Sequence, residues 1–100
     1  MAIGEPSIGS GELSVGTTVV CSKACLVTGI VLSPAAAASS VKIYNHGATA
    51  TSLQLTVLAA ASTASTVVNL DSAMYLSAGC VAVVAGTGAL ATILYQRMDG

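Results

Sequence analysis

Short aliphatic and β-branched runs recur along this chain, set apart by clusters of Ser, Thr, Ala, Gly and Asn. That spacing is the pattern of a β-sandwich or barrel. It predicts strands over residues 12–15, 17–22, 25–32, 40–44, 52–58, 66–70, 80–85 and 89–95. The expected fold class is therefore all-β, a small sandwich of seven or eight short antiparallel strands occupying residues 12–96. Residues 1–11 hold Gly4, Pro6, Gly9 and Gly11 around Ile3 and Ile8, which reads as an extended N-terminal arm. Residues 97–100 form a short C-terminal tail.

Alternation assigns faces within the strands. Leu53, Leu55 and Val57 share one side, with Gln54 and Thr56 on the other; Val41 and Ile43 point inward, leaving Lys42 and Tyr44 outside. In residues 25–32, strict alternation puts Leu26, Ile30 and Leu32 on one face and Val27 and Val31 on the other. The late strands behave alike: Val81 and Val83 oppose Val84, and Leu90 and Leu94 oppose Ile93 and Tyr95. The outer face of an antiparallel sandwich normally meets water, so apolar residues on both faces imply a partner subunit. The residues expected at that interface are Val27, Val31, Ile93 and Tyr95, with Tyr44 from an outer face and Ile3 and Ile8 from the arm.

Composition points the same way. The chain is 54% hydrophobic and only 7% charged, against a usual charged share of about 25%. It has no Trp or Phe, so each residue buries little area, and a monomer of this size has one modest core. Burial between subunits offsets that shortfall. The net charge is −1, and the basic residues Lys23, Lys42 and Arg97 are scattered, which excludes the basic patch that nucleic-acid binding requires. Residues 72–96 carry no charge, but Ser77, Ala78, Gly79, Gly86, Thr87 and Gly88 cut them into pieces of strand length, unlike a spanning helix. Three cysteines, Cys21, Cys25 and Cys80, are an odd number and do not form a complete disulfide framework. With no basic n-region or apolar h-region at the start, assembly in a reducing cytosol is expected.

Two turns read as hairpins, Asn45-His46-Gly47 and Gly86-Thr87-Gly88, while Ser33 and Pro34 ahead of four alanines read as one helical turn. A faint echo relates Val31-Leu32, small residues and Val41 to Val57-Leu58, small residues and Val67; a duplication would give the two small-residue crossings a shared form, but two copies read as low-complexity coincidence and fall short of a solenoid.

The inventory for catalysis is short. The acids are Glu5, Glu12, Asp71 and Asp99, and the sole histidine, His46, sits in a turn; a nucleophile with its base or a carboxylate pair is not in evidence. The three cysteines with His46 have the donor types of a zinc site, but the Cys21–Cys25 spacing lacks the usual knuckle and small buried hydrophobes are the expected role. Gly86-Thr87-Gly88 lacks the following Lys and Ser or Thr of a phosphate loop. No catalytic residue, cofactor or metal is expected. Of the tyrosines, Tyr44 is the foremost contact candidate.

The stretch from Cys25 to Asn45, CLVTGIVLSPAAAASSVKIYN, continued by LQLTVLAAA from Leu53 and closed by GTGALATILY from Gly86 to Tyr95, resembles small virion proteins of tailed bacteriophages, of the capsid decoration or cement class. The likeness covers about the last three quarters of the chain. It implies a β-sandwich or jelly-roll-like protein, commonly a homotrimer, assembled in the host bacterial cytoplasm and seated in the virion on the major capsid protein. It carries no functional residue across. The alternatives are another virion component, such as a tail, collar or host-recognition knob protein, or a small membrane protein.

Overall fold

The alternating runs become eight strands. The computed structural model describes residues 8–61 and 64–97. The strands are β1 (Ile8–Gly9), β2 (Gly16–Cys21), β3 (Cys25–Ser33), β4 (Ser39–Tyr44), β5 (Leu53–Ala59), β6 (Thr66–Leu76), β7 (Cys80–Ala85) and β8 (Leu90–Arg97). They pair as one long hairpin would, β1 with β8, β2 with β7, β3 with β6 and β4 with β5, all antiparallel. Further pairing of β3 with β8 and β4 with β7 rolls that hairpin up. Two four-stranded sheets result, sheet A in the order β1-β8-β3-β6 and sheet B in the order β2-β7-β4-β5. This is the strand order of a jelly roll, within the all-β sandwich class expected.

The rolled topology corrects the local turn readings. Only β4 and β5 form a hairpin within one sheet, closed through residues 45–52 with Asn45 N–H donating to Ser52 O at 2.9 Å. The turn at Gly86–Gly88 joins β7 in sheet B to β8 in sheet A, so it is a crossing and not a hairpin. Residues 34–38 form bends without a helical turn, because they too must cross between sheets. Residues 12–15 form no strand, although Leu13 makes an isolated bridge to Ala91. Of the expected arm, residues 1–7 lie outside the described residues, and so does Ile3. Residues 8–13 instead run along β8 of the same chain: Ser10 N–H donates to Ile93 O, and Leu13 and Ala91 exchange two backbone bonds.

Between the sheets lie Val27, Ile30, Leu32, Val41, Ile43, Leu76 and Ile93, all without exposed surface. Burying each such side chain contributes about 1.5–3 kcal/mol. Val27 and Ile93 are therefore core residues, not interface residues. A bulge at Thr28 explains Val27: the register with both neighbours shifts between Val27 and Gly29. One extra residue reverses the alternation, so Cys25 and Val27 face the core before the bulge, and Ile30 and Leu32 after it. The Thr28 hydroxyl donates to Leu94 O across the break at 3.2 Å. Ile93 and Tyr95 do alternate against Leu90 and Leu94, but theirs is the inward side, and half-buried Tyr95 packs on the core. Val31 is half-buried on the outer face.

Crossings meet at both ends of the roll with little between them. At one end Gly86, at φ 108°, lies so close to the 34–38 crossing that a Cβ there would sit 2.7 Å from Ala38 O and 2.9 Å from Ser39 Cα. At the other, Gly79, at φ 135°, leaves 2.9 Å between such a Cβ and His46 O. The two echoed crossings also touch, through Ser33 and Ser65 hydroxyls 2.8 Å apart.

Three substitutions test this architecture by chemical denaturation. Val27→Ala is expected to cost about 2 kcal/mol through the cavity it leaves, and Val31→Ala less than about 1 kcal/mol; the reverse order would place the bulge wrongly. Gly86→Ala is expected to cost about 2–3 kcal/mol, from a strained backbone conformation combined with a clash against Ala38.

Candidate interaction surface

The outer faces are built from the residues opposite the core. On sheet A the register aligns Gln96, Leu26 and Tyr75 in one row, Leu94, Gly29 and Asn69 in the next, and Thr92, Val31 and Val67 in a third. Leu94 lies between two glycines, Gly9 on β1 and Gly29 on β3, and a Cβ on Gly29 would come within 3.3 Å of its Cδ1. The missing side chains let one leucine spread over three strands.

On sheet B one row crosses all four strands: Val19 pairs with Val81, Val81 with Tyr44 and Tyr44 with Leu53. Val81 has no exposed surface although it stands outside the core cluster. Its cross-strand neighbours Val19 and Tyr44 cover it. Tyr44 is thus on an outer face as expected, half-buried, in the middle of an apolar belt. A second bulge, at Gln54, brings Leu53 opposite Tyr44 and onto this face. Alternation alone puts Leu53 on one side with Leu55 and Val57; the bulge separates it from them, and it is half exposed.

Four of the six most exposed large apolar side chains lie on the strands of one flank, while Val15 and Val19 lie at the opposite edge with β2. β5 ends sheet B and β6 ends sheet A, and residues 60–65 join them, so the two open edges lie along the same side. Leu58 is 72% exposed, Val67 58%, Tyr75 57% and Leu53 50%. An open depression lined by Ala38, Ser39, Ser40, Leu58, Ala59 and Ala60 continues this flank. Among the described side chains, the register places no charge on the outer face of sheet A and only Lys42 on that of sheet B. Natural edges are usually guarded by charge or proline, and β5, LQLTVLA, has neither.

The polar groups singled out in the sequence are separated. His46 Nδ1 accepts the backbone N–H groups of Ala48 and Thr49, each at 3.0 Å, which ties the ring into its own loop. The three cysteines do come together at that end of the roll. Cys21 and Cys80 are register partners, and Cys25 is buried with them in the same core cluster. Its contact with Cys80, then burial, push the Cys25 thiol well above its ordinary pKa. Among the described residues no group of three or more His, Cys, Asp and Glu is arranged to hold a metal ion. No described helix is long and apolar enough to cross a membrane. Comparison with protein-family models, curated proteins and solved structures gave no match.

The flank was not read from the sequence, where β6 ended at Leu70. Met74, Tyr75 and Leu76 continue that strand beyond a stretch, residues 70–73, that stands opposite Thr28 alone. The pairing resumes because Met74 and Leu76 return to the core side opposite Val27 and Cys25.

Proposed function

We propose that this chain is a non-catalytic structural protein of a virus particle, a capsid decoration protein that joins copies of itself into a trimer and seats on the major capsid protein or another virion protein. The observation that carries this reading is the β5–β6 flank, with two open strand edges bordered by Leu53, Leu58, Val67 and Tyr75. An edge without charge or proline, as β5 presents, is a template for pairing with another chain. A partner strand satisfies its free N–H and C=O groups while its apolar borders are buried. Edge pairing supplies direction, and apolar burial supplies free energy. A specific interface of standard size buries about 1,600 Å², and contacts repeated over a shell gain by multivalency. The jelly-roll strand order is compatible with this role, being common among viral capsid domains, though also among lectins. No nucleic acid and no membrane take part in the proposal.

Sedimentation of the purified chain at micromolar concentration is expected to give a trimer. Leu58→Lys is expected to shift it toward monomer while changing unfolding free energy by no more than about 0.5 kcal/mol, as for an exposed site. A monomeric wild-type chain would remove the self-association part. Mixing the protein with shells that lack it, followed by imaging, is expected to place it where capsomers meet. Density on a tail or collar instead would favour another virion role, with host recognition among them.

A further inference from the structure

We propose that the cluster of Cys21, Cys25 and Cys80 is an oxidation site, at which a low-molecular-weight disulfide of the glutathione class joins Cys21 to Cys80 within one chain. The three residues are far apart in sequence yet share one end of the roll. Cys21 closes β2 and stands directly opposite Cys80, the first residue of β7. Antiparallel partners have Cα atoms about 4.5–5.5 Å apart, inside the range of about 4.4–6.8 Å that a disulfide spans. Both belong to the core cluster, so their side chains share a face. Cys25, at the start of β3 in the other sheet, belongs to the same core cluster and has no exposed surface.

The order of reaction follows from access. Cys21 is 8% exposed, whereas Cys25 and Cys80 have no exposed surface. The bulge at Val20 interrupts the ladder just before Cys21, on a strand that has one neighbour only, and such strand ends open locally at low cost. The Cys21 thiol donates to Lys23 O at 3.2 Å, in the exposed crossing of residues 22–24. In the first step the Cys21 thiolate attacks one sulfur of the oxidant, forming a mixed disulfide and releasing one small thiol. In the second, the Cys80 thiolate attacks the Cys21 sulfur and releases the other small thiol. The protons of Cys21 and Cys80 pass to the two released thiols. The chain loses two electrons and the oxidant gains them. Cys25 stays a thiol, because it lies in the other sheet, off the Cys21–Cys80 register pair and without exposed surface, and its contact with Cys80 and its burial push its pKa up.

The bond would fasten edge strand β2 to β7 and close a loop from residue 21 to residue 80. Closing so long a loop removes much of the freedom of the unfolded chain. This inference does not rest on the virion reading, since it concerns the folded chain alone.

The sequence offers an unambiguous assay. Cleavage after Lys23, Lys42 and Arg97 leaves each cysteine in a different peptide. The full-length reduced protein is incubated with oxidised glutathione under native conditions, alkylated in denaturant, cleaved and analysed by mass spectrometry. The expected result is a linked pair of the Cys21 and Cys80 peptides, an alkylated Cys25 peptide, and a thermal midpoint raised relative to the reduced protein and restored by reductant. Cys25→Ser is expected to keep the link. Three alkylated cysteines, a link through Cys25, a link between two chains, or glutathione retained on the protein would each overturn the proposal. The wild-type peptide map decides the matter even if a cysteine variant fails to fold.

Discussion

The close approach of backbone to backbone where the chain crosses between sheets is the constraint on which the rest of this structure depends. A rolled hairpin sends nearly every connection from one sheet to the other, so the crossings crowd together at the two ends. Gly86 against Ala38 and Ser39, and Gly79 against His46, leave no room for a side chain. The small residues of the 34–38 crossing meet the same requirement opposite Gly86 and Gly88; the Ser39 hydroxyl bonds back to the Ala37 carbonyl within that crossing, and the Ser33 and Ser65 hydroxyls link it to the next. The small-residue composition, which first reads as a deficit of core material, is what permits this topology in so short a chain.

How much of this was legible follows from range. Alternation is a local signal, and it located β2, β3, β4, β5, β7 and β8 to within a residue or two. It also put Val41 and Ile43 inside and Tyr44 outside, because β4 keeps its period up to the edge of the bulge. Val27 failed because a bulge consumes one residue without leaving a compositional mark; Thr28-Gly29 is a weak hint at best. Ile93 and Tyr95 failed differently. Their faces were separated correctly from those of Leu90 and Leu94, but a strand that is apolar on both sides does not say which side is inner. The glycine-bracketed turn at Gly86 looked like a hairpin because a tight reversal has the same residues whether it stays in a sheet or leaves it. Deciding between them needs the non-local pairing of β8 with β3.

The candidate surface was legible only in part, for the same reason. That the chain carries more apolar surface than one core can hide was evident in its charge content, and the described structure leaves Leu53, Leu58, Val67 and Tyr75 substantially exposed. Where they gather was not evident, since β5 and β6 share a flank only because both end their sheets. Leu53 reached the outer face through the bulge at Gln54, and Tyr75 lies on a continuation of β6 that the intervening Asp71 and Ser72 concealed.

Edge and fold are linked through folding as well. Pairing β1 with β8 and β2 with β7 joins residues from opposite ends of the chain, so the sheets form through non-local contacts and loop closure must precede the reward. Such topologies fold slowly, and the last strands to be covered are exposed for longest. Among the described strands β4 and β5 form the one hairpin within a sheet, and the outer edge of β5 has no described strand of the same chain to receive it. An edge of that kind, uncharged and bordered by Leu53 and Leu58, either aggregates or is capped by a specific neighbour. Covering it with a specific neighbour would resolve the hazard, and this sets the β5–β6 flank apart from the apolar belt centred on Tyr44. The belt already hides its most buried member, Val81, whereas among the described residues no strand covers the outer edges of β5 and β6.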